Sequence, residues 1–216
     1  MVDNQEWYRR KIRMKKCYLC QSKRIKIFHK GVRDNADIDV LKCEECGLLQ
    51  LSDFFHLEEN FYENGKMHEG QYDITEDKIT NQSWEAWRVE TVEDDLRRAE
   101  SLKEKCQGKA VLDFGCGNGG FLREIKKYAF EAVGVELDNQ ARIKIAEEGI
   151  EVKSRIEEWK TKQFDVITMF QVIEHLNNPE EYLNKMNTFL KPGRLSENSV
   201  NNLGFQTDDK DKYICR

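Results

Sequence analysis

Hydrophobic and polar positions alternate, drift and then alternate again along this chain, and each change of rhythm marks a different kind of element. The runs "RIKIFHKGV" and "ADIDVLKC" alternate with period two and predict two short strands. Residues 52–82 are polar with scattered aromatics and no clean period, which predicts a linker with short helical pieces. From Ser83 onward, Val89, Val92, Leu96, Ala99 and Leu102 recur at helical spacing and predict a long helix, broken at "KCQGKA". After Gly108 the chain alternates between strand and helix. Ala110 to Phe114, "AVGVEL", "IEVKS" and "FDVITMF" read as four strands. Phe121, Leu122, Ile125 and Tyr128 line one helix, "NQARIKIAEEG" forms a second, and Tyr182, Leu183, Met186, Phe189 and Leu190 mark a third that ends at Lys191-Pro192-Gly193. Strands alternating with helices predict an α/β fold, a doubly wound parallel sheet.

Length allows one main core and a small attachment, since 216 residues exceed a single domain of ordinary size only slightly. The boundaries that follow are 1–51 for a basic N-terminus and small module, 52–107 for the linker and a helical lid or packing region, 108–193 for the α/β domain, and 194–216 for a polar tail. In the linker, Phe54, Phe55, Phe61, Tyr62 and Tyr72 either pack the small module onto the main domain or cap a pocket as a lid. Net charge is −5, yet the first 33 residues carry eleven cations against Asp3 and Glu6. A basic head on an acidic body reads first as a solvated face, and the acidic whole argues against nucleic acid as the partner. The start, "MVDNQEWYRRKIRMKK", has no apolar signal-peptide core and no run reaches membrane-spanning length, so a cytoplasmic protein without a membrane span is expected.

That compartment is reducing, which changes how the cysteines are read. Cys17 and Cys20 form one C-x-x-C knuckle and Cys43 and Cys46 a second, and two such pairs supply the four thiolates of a closed tetrahedral zinc site. With short strands between the knuckles, the N-terminal module reads as a zinc ribbon holding structural zinc, against unliganded cysteines or a redox role for one pair. His29 lies between the pairs and is not needed as a ligand.

The stretch "VLDFGCGNGGFLREI" places glycines at 115, 117, 119 and 120 between a strand and a helix. Such a turn lets backbone N–H groups press against a nucleotide-like cofactor. Gly115, Gly117 and Gly120 satisfy G-x-G-x-x-G, so a dinucleotide has to be considered, and Glu136 stands 19 residues after Gly117, placed to accept both ribose hydroxyls. Asp113 separates the alternatives. It precedes the first glycine by two residues, where it would repel a pyrophosphate but suit the sulfonium and ammonium of S-adenosylmethionine. No arginine or lysine occurs within "DFGCGNGG" to balance a phosphate.

At these residues the chain resembles the class I S-adenosylmethionine-dependent methyltransferases of the small-molecule branch. "VLDFGCGNGGFL" is similar to their first motif, "VGVELD" to the acidic second-strand motif, and "FDVITMFQVIEHLNNPEEYLNKMNTFLKPG" to the fourth strand with its following helix and turn. With the cysteine pairs added, the whole resembles bacterial methyltransferases with an N-terminal zinc module that modify sugars or natural products. The resemblance implies a Rossmann-like fold, S-adenosyl-L-methionine as cofactor and a small-molecule acceptor. It also implies that Gly115 and Gly117 lie against the methionine portion, with Cys116 as a small filler in the loop and Asp113 supporting the ammonium contacts. Glu136 would take the ribose, Leu137 would pack on the adenine with Ile156 on its other face, and Gln171 would point into the cleft where donor and acceptor meet.

Methyl transfer to a hydroxyl needs alignment and a base, and His175 in "QVIEHL" is the candidate, against a reading in which His175 and Glu174 only shape the turn. Two other functions stay open: a zinc-ribbon ribosomal RNA methyltransferase, and a non-catalytic module that binds cofactor or partner. The tail "RLSENSVNNLGFQTDDKDKYICR" lacks the apolar run of a central strand. The sheet is therefore expected to stop at its fourth strand, leaving an incomplete, truncated fold of impaired activity that self-associates through an exposed edge.

Overall fold

The computed structural model describes residues 16–32, 36–52, 74–75, 78–176 and 179–192, which fall into two compact units. The smaller holds an antiparallel sheet of β1 (Ile25–His29), β2 (Val40–Cys43) and β3 (Leu49–Leu51) in the order β1-β2-β3. Among the described residues its apolar interior is little more than Cys17, Ile38, Leu41 and Cys43. Side-chain amides and hydroxyls do the rest. The buried Gln50 accepts from the Tyr18 N–H at 3.2 Å and donates to the Lys16 carbonyl at 3.1 Å, which ties β3 to the first knuckle. The two strands expected between the knuckles are present; β3, three residues long, is too short to display a period.

In the larger unit the first described element is a small hairpin, β4 (Ile74–Thr75) and β5 (Lys78–Ile79), followed by α1 (Asn81–Cys106). Thr80 caps α1 by accepting from the Ser83 N–H at 3.2 Å. The helix is where the periodicity placed it and buries the expected Ala99 and Leu102, but its buried face turns away from Val89, Val92 and Leu96. Val89, Val92 and Leu96 are 72%, 45% and 49% exposed, whereas Trp84, Asp95, Ala99, Leu102 and Cys106 are buried. At about 100° per residue Trp84, Asp95 and Leu102 fall on one line, and Val89 and Leu96 stand about a third of a turn away. Hydropathy finds this face only in part because an aspartate sits at its centre.

Beyond α1 come β6 (Ala110–Phe114), α2 (Gly120–Ile125), β7 (Glu131–Val135), α3 (Asn139–Glu147), β8 (Val152–Lys153), a 3-10 turn at Ile156–Trp159, β9 (Val166–Thr168), a second 3-10 turn at Ile173–His175, and α4 (Pro179–Thr188). All four strands are parallel in the order β8-β7-β6-β9, the doubly wound arrangement expected. Trp84, Ala99, Leu102 and Cys106 of α1 pack with Val111, Phe121, Leu122, Ile125 and Ile145 in one core cluster. The strand order reverses between β6 and β9, so a crevice opens at their carboxyl ends, where an α/β sheet binds ligands.

After α4 the chain returns to the flank of β9, where Leu190 forms a parallel bridge with Phe164. Phe164 N–H donates to the Phe189 carbonyl at 2.8 Å and Lys191 N–H to the Phe164 carbonyl at 2.9 Å. Residues 194–216, on which the expectation of an incomplete sheet and self-association rests, lie outside the described residues, as do the linker aromatics Phe54, Phe55, Phe61, Tyr62 and Tyr72. No helix among the described residues is long and apolar enough to cross a membrane.

Candidate functional site

Four thiols converge in the smaller unit. Cys17 and Cys46 sulfurs lie 3.5 Å apart, Cys20 and Cys43 likewise, and all four fall within 4.8 Å of one another. A zinc ion with Zn–S bonds near 2.3 Å requires tetrahedral S···S separations of about 3.8 Å, a spacing that these distances bracket, so the donor set fits that ion. The knuckle backbones fit as well. Gln21 N–H returns to the Cys17 carbonyl and Gly47 N–H to the Cys43 carbonyl, each at 3.0 Å, while the Ser22 and Leu48 amides hydrogen-bond the Cys20 and Cys46 sulfurs. His29 stands apart from this set, with its Nδ1 2.9 Å from the Gly31 carbonyl oxygen.

In the larger unit the glycine loop leaves β6 at the switch point. Gly115 and Cys116 N–H groups both donate to the Val135 carbonyl, at 2.8 and 3.0 Å, which curls the loop toward β7. Gly115 has φ +75°, and a β-carbon there would lie 2.4 Å from Val172 Cγ2. Only glycine admits the turn after β9 so close to the loop. That contact brings the segment bearing Gln171 and His175 to the same end of the sheet. Gln171 is exposed and holds φ +53°, an uncommon conformation for a residue with a side chain. His175 is exposed in a 3-10 turn and its N–H donates to the Val172 carbonyl at 2.9 Å.

Glu136 ends the second strand of the alternating pattern, as the sequence places it. One carboxylate oxygen accepts from the Gly117 N–H at 2.8 Å and the other from the Asp138 N–H at 2.9 Å. Burial pushes its carboxyl above the ordinary range, and the Asp138 and Gly117 amides work against that rise. Leu137 beside it is half-buried, whereas Ile156 is only 2% exposed and belongs to the interior. Cys116 is also buried, its sulfur facing Gly134 where a β-carbon would stand 2.6 Å away.

Asp113 is buried and accepts a hydrogen bond from Thr168 Oγ1 at 2.7 Å across the β6–β9 pair. Desolvation pushes its carboxyl up to about 7, opposed by Thr168 and by the charge of Arg98 and reinforced by Asp95 and Glu136. Asp95 of α1 is buried too and likewise raised by burial, despite a hydrogen bond from Thr91 and the Arg98 guanidinium 3.7 Å away. Arg98 stacks over the Phe170 ring at 4.8 Å to the centroid. Two buried carboxylates, Asp95 and Asp113, and the half-buried Glu136 therefore surround the base of one glycine loop. Such a place favours a cation and repels phosphate.

Thr168, Asp95 and Arg98 were not legible as site residues. Thr168 reads as a strand residue until the register sets it beside Asp113. The one available signal for Asp95 was an acid lying at helical spacing with Trp84 and Leu102.

A methyltransferase-domain family model matches residues 84–210, more than half of the chain and everything described of the glycine loop and its surroundings. The ubiquinone biosynthesis O-methyltransferase of Nitrosococcus oceani (strain ATCC 19707) is 33% identical over 40% of this chain and 41% of that protein. The protein of the same name from Bordetella avium (strain 197N) is 29% identical over 45% of each chain. The matched stretch thus spans less than half the length of these curated relatives. Among solved structures, the sugar N-methyltransferase KedS8 from Streptoalloteichus sp ATCC 53650 is similar at a TM-score of 0.42 and 19% identity, covering 48% of this chain and 47% of that one. On the extent of the family match, joined to the parallel sheet and its glycine loop, the chain belongs to the methyltransferase-domain family.

Proposed function

We propose that this chain binds S-adenosyl-L-methionine at the glycine loop and transfers its methyl group to a small-molecule acceptor, a sugar or natural-product intermediate. The observation that carries the reading is the set of Asp95, Asp113 and Glu136 carboxylates around the loop, each raised by burial. A bound cation would relieve that strain, and a pyrophosphate would add to it. Gly115, Cys116 and Gly117 form the wall against the methionine portion. Asp113 draws its ammonium, Glu136 accepts from the ribose hydroxyls with lone pairs that Gly117 and Asp138 leave free, and Leu137 packs on the adenine. When bound, the cofactor supplies an electrophilic methyl group. Gln171 lines the acceptor side, and an imidazole nitrogen of His175 takes the proton that an acceptor hydroxyl loses. The similarity to ubiquinone biosynthesis O-methyltransferases supports a small acceptor molecule.

Glu136→Ala is expected to weaken S-adenosylmethionine by about 1.5–3 kcal/mol, the scale of hydrogen bonds to a charged group. Isothermal calorimetry on the folded variant measures it, and unchanged affinity would assign the ribose to another residue. The acceptor itself is to be found by a methylation screen over nucleotide sugars and hydroxylated small molecules. In such a screen His175→Ala should lower kcat by about 100-fold or more for a hydroxyl acceptor, with donor affinity kept.

The four thiolates of Cys17, Cys20, Cys43 and Cys46 hold one structural zinc in the same proposal. They leave no open coordination position, so the metal organises the ribbon and takes no part in transfer. Elemental analysis should find one zinc per chain in purified protein and none in Cys43→Ser/Cys46→Ser. Metal retained by that double variant would place the zinc elsewhere.

A further inference from the structure

Asn118 sits inside the glycine loop, only 4% exposed, and no part of the transfer chemistry requires it. Its amide is fully engaged. Nδ2 donates to the Trp87 carbonyl at 3.3 Å and to Thr91 Oγ1 at 2.9 Å, both on α1. Oδ1 accepts from the Gly120 N–H at 3.0 Å and from Arg123 Nη2 at 3.3 Å. The orientation of the amide is set by chemistry, because the Trp87 carbonyl can only accept while Gly120 N–H and the guanidinium can only donate. Arg123 also reaches the Asn118 carbonyl at 2.8 Å and pairs with Glu148 at 3.1 Å, so the loop is held from its α2 side as well.

The network continues into α1. Thr91 hydrogen-bonds Asp95, and a hydroxyl that accepts from Asn118 has its one proton free for that carboxylate. Asp95 in turn lies where a β-carbon on Gly120 would be 1.8 Å from its Oδ2. A β-carbon on Gly117 would stand 3.6 Å from the Trp87 ring, so the helix covers the loop along its length. Asp95, Thr91, Asn118 and Gly120 thus form one chain of polar contacts between α1 and the loop, with Asp95 packed closely against Gly120 at its end.

We propose that Asn118 is a positioning residue that latches the glycine loop to α1 through Trp87 and Thr91, setting the loop amides and the Asp95 carboxylate in place before the methyl donor arrives. The proposal rests on the donor reading above, and it makes α1 part of the donor site. Without the latch, the loop must be ordered at the moment of binding, and donor affinity falls while the fold and the zinc ribbon persist.

The test uses the full chain as Asn118→Ala, Thr91→Val, Thr91→Ser and the double variant Asn118→Ala/Thr91→Val. Calorimetry with S-adenosylmethionine should show about 10-fold weaker binding for Asn118→Ala and Thr91→Val, with the double variant no weaker than the worse single variant, because both remove one contact chain. Thr91→Ser keeps the hydroxyl and should bind within about 3-fold of the unaltered protein, a rescue that separates the latch from mere packing of α1. Hydrogen exchange needs no cofactor: the Gly120 amide should exchange about 10-fold faster or more in Asn118→Ala. Multiplying losses in the double variant, equal losses for Thr91→Val and Thr91→Ser, or an unchanged Gly120 amide would each overturn the latch. Unaltered protein that binds no S-adenosylmethionine would overturn the donor reading instead, and the exchange result would still decide the latch.

Discussion

Gly115→Ala is expected to destabilise the larger unit by about 2–5 kcal/mol and to abolish ordered donor binding. Two costs combine at this position. A β-carbon must adopt φ +75°, which costs about 1–2 kcal/mol for an L-residue. It must also find room 2.4 Å from Val172 Cγ2, and overpacking of that kind costs about 1–3 kcal/mol. Gly149 supplies the control, since it has φ +73° and nothing within 4 Å of an added β-carbon. Gly149→Ala should therefore show the conformational cost alone. Urea denaturation of the two variants measures the difference, which is the packing of Val172 against the loop. Because Val172 lies between Gln171 and His175, relief of the clash displaces the acceptor side of the crevice as well as the donor side. Equal losses in the two variants would mean that Val172 yields at no cost and that the loop and the turn after β9 are not set against each other.

That contact also illustrates what the sequence could reveal. The strand, glycine loop and following helix were legible because an apolar run, four glycines and an amphipathic helix each follow a local rule. Glu136 was legible for the same reason, as an acid at a strand end. The thiol cluster was legible from spacing alone, because a C-x-x-C knuckle closes on itself whatever surrounds it. Residues whose role depends on register or on a distant element were not. Thr168 meets Asp113 only once β6 and β9 pair in parallel, and Asn118 meets Thr91 only once a helix 27 residues earlier lies over the loop. The buried face of α1 was legible only at Ala99 and Leu102, because Asp95 interrupts it, while Val89, Val92 and Leu96 present an apolar stripe that the described residues leave exposed. Hydropathy ranks a buried, hydrogen-bonded aspartate with the surface, and at a cation site that ranking fails.

The same buried charge makes donor binding sensitive to pH, and the expected result is an affinity that climbs by up to about tenfold per pH unit below 7 and levels above it. Asp113 is pushed up to about 7 by burial, with Asp95 and Glu136 adding to the rise and Thr168 and Arg98 opposing it. In the unfolded chain an aspartate titrates near about 4. The folded, donor-free protein therefore holds a proton that the unfolded chain has lost. Stability from this group is fully present below about 4, declines as pH rises, and is lost by about 7, a change on the order of 4 kcal/mol. A bound sulfonium and ammonium reverse the preference, because they stabilise the ionised carboxylate. Binding between about pH 5.5 and 7 should thus release up to one proton, which calorimetry in buffers of different ionisation enthalpy detects. Asp113→Asn preserves an oxygen for the Thr168 hydroxyl but carries no charge. The variant should be more stable than the unaltered protein at pH 8, bind the donor more weakly there, and lose the slope below pH 7. A variant that keeps the slope would assign the titration to another group, with Glu136, raised in the same crevice, the first to test by Glu136→Gln.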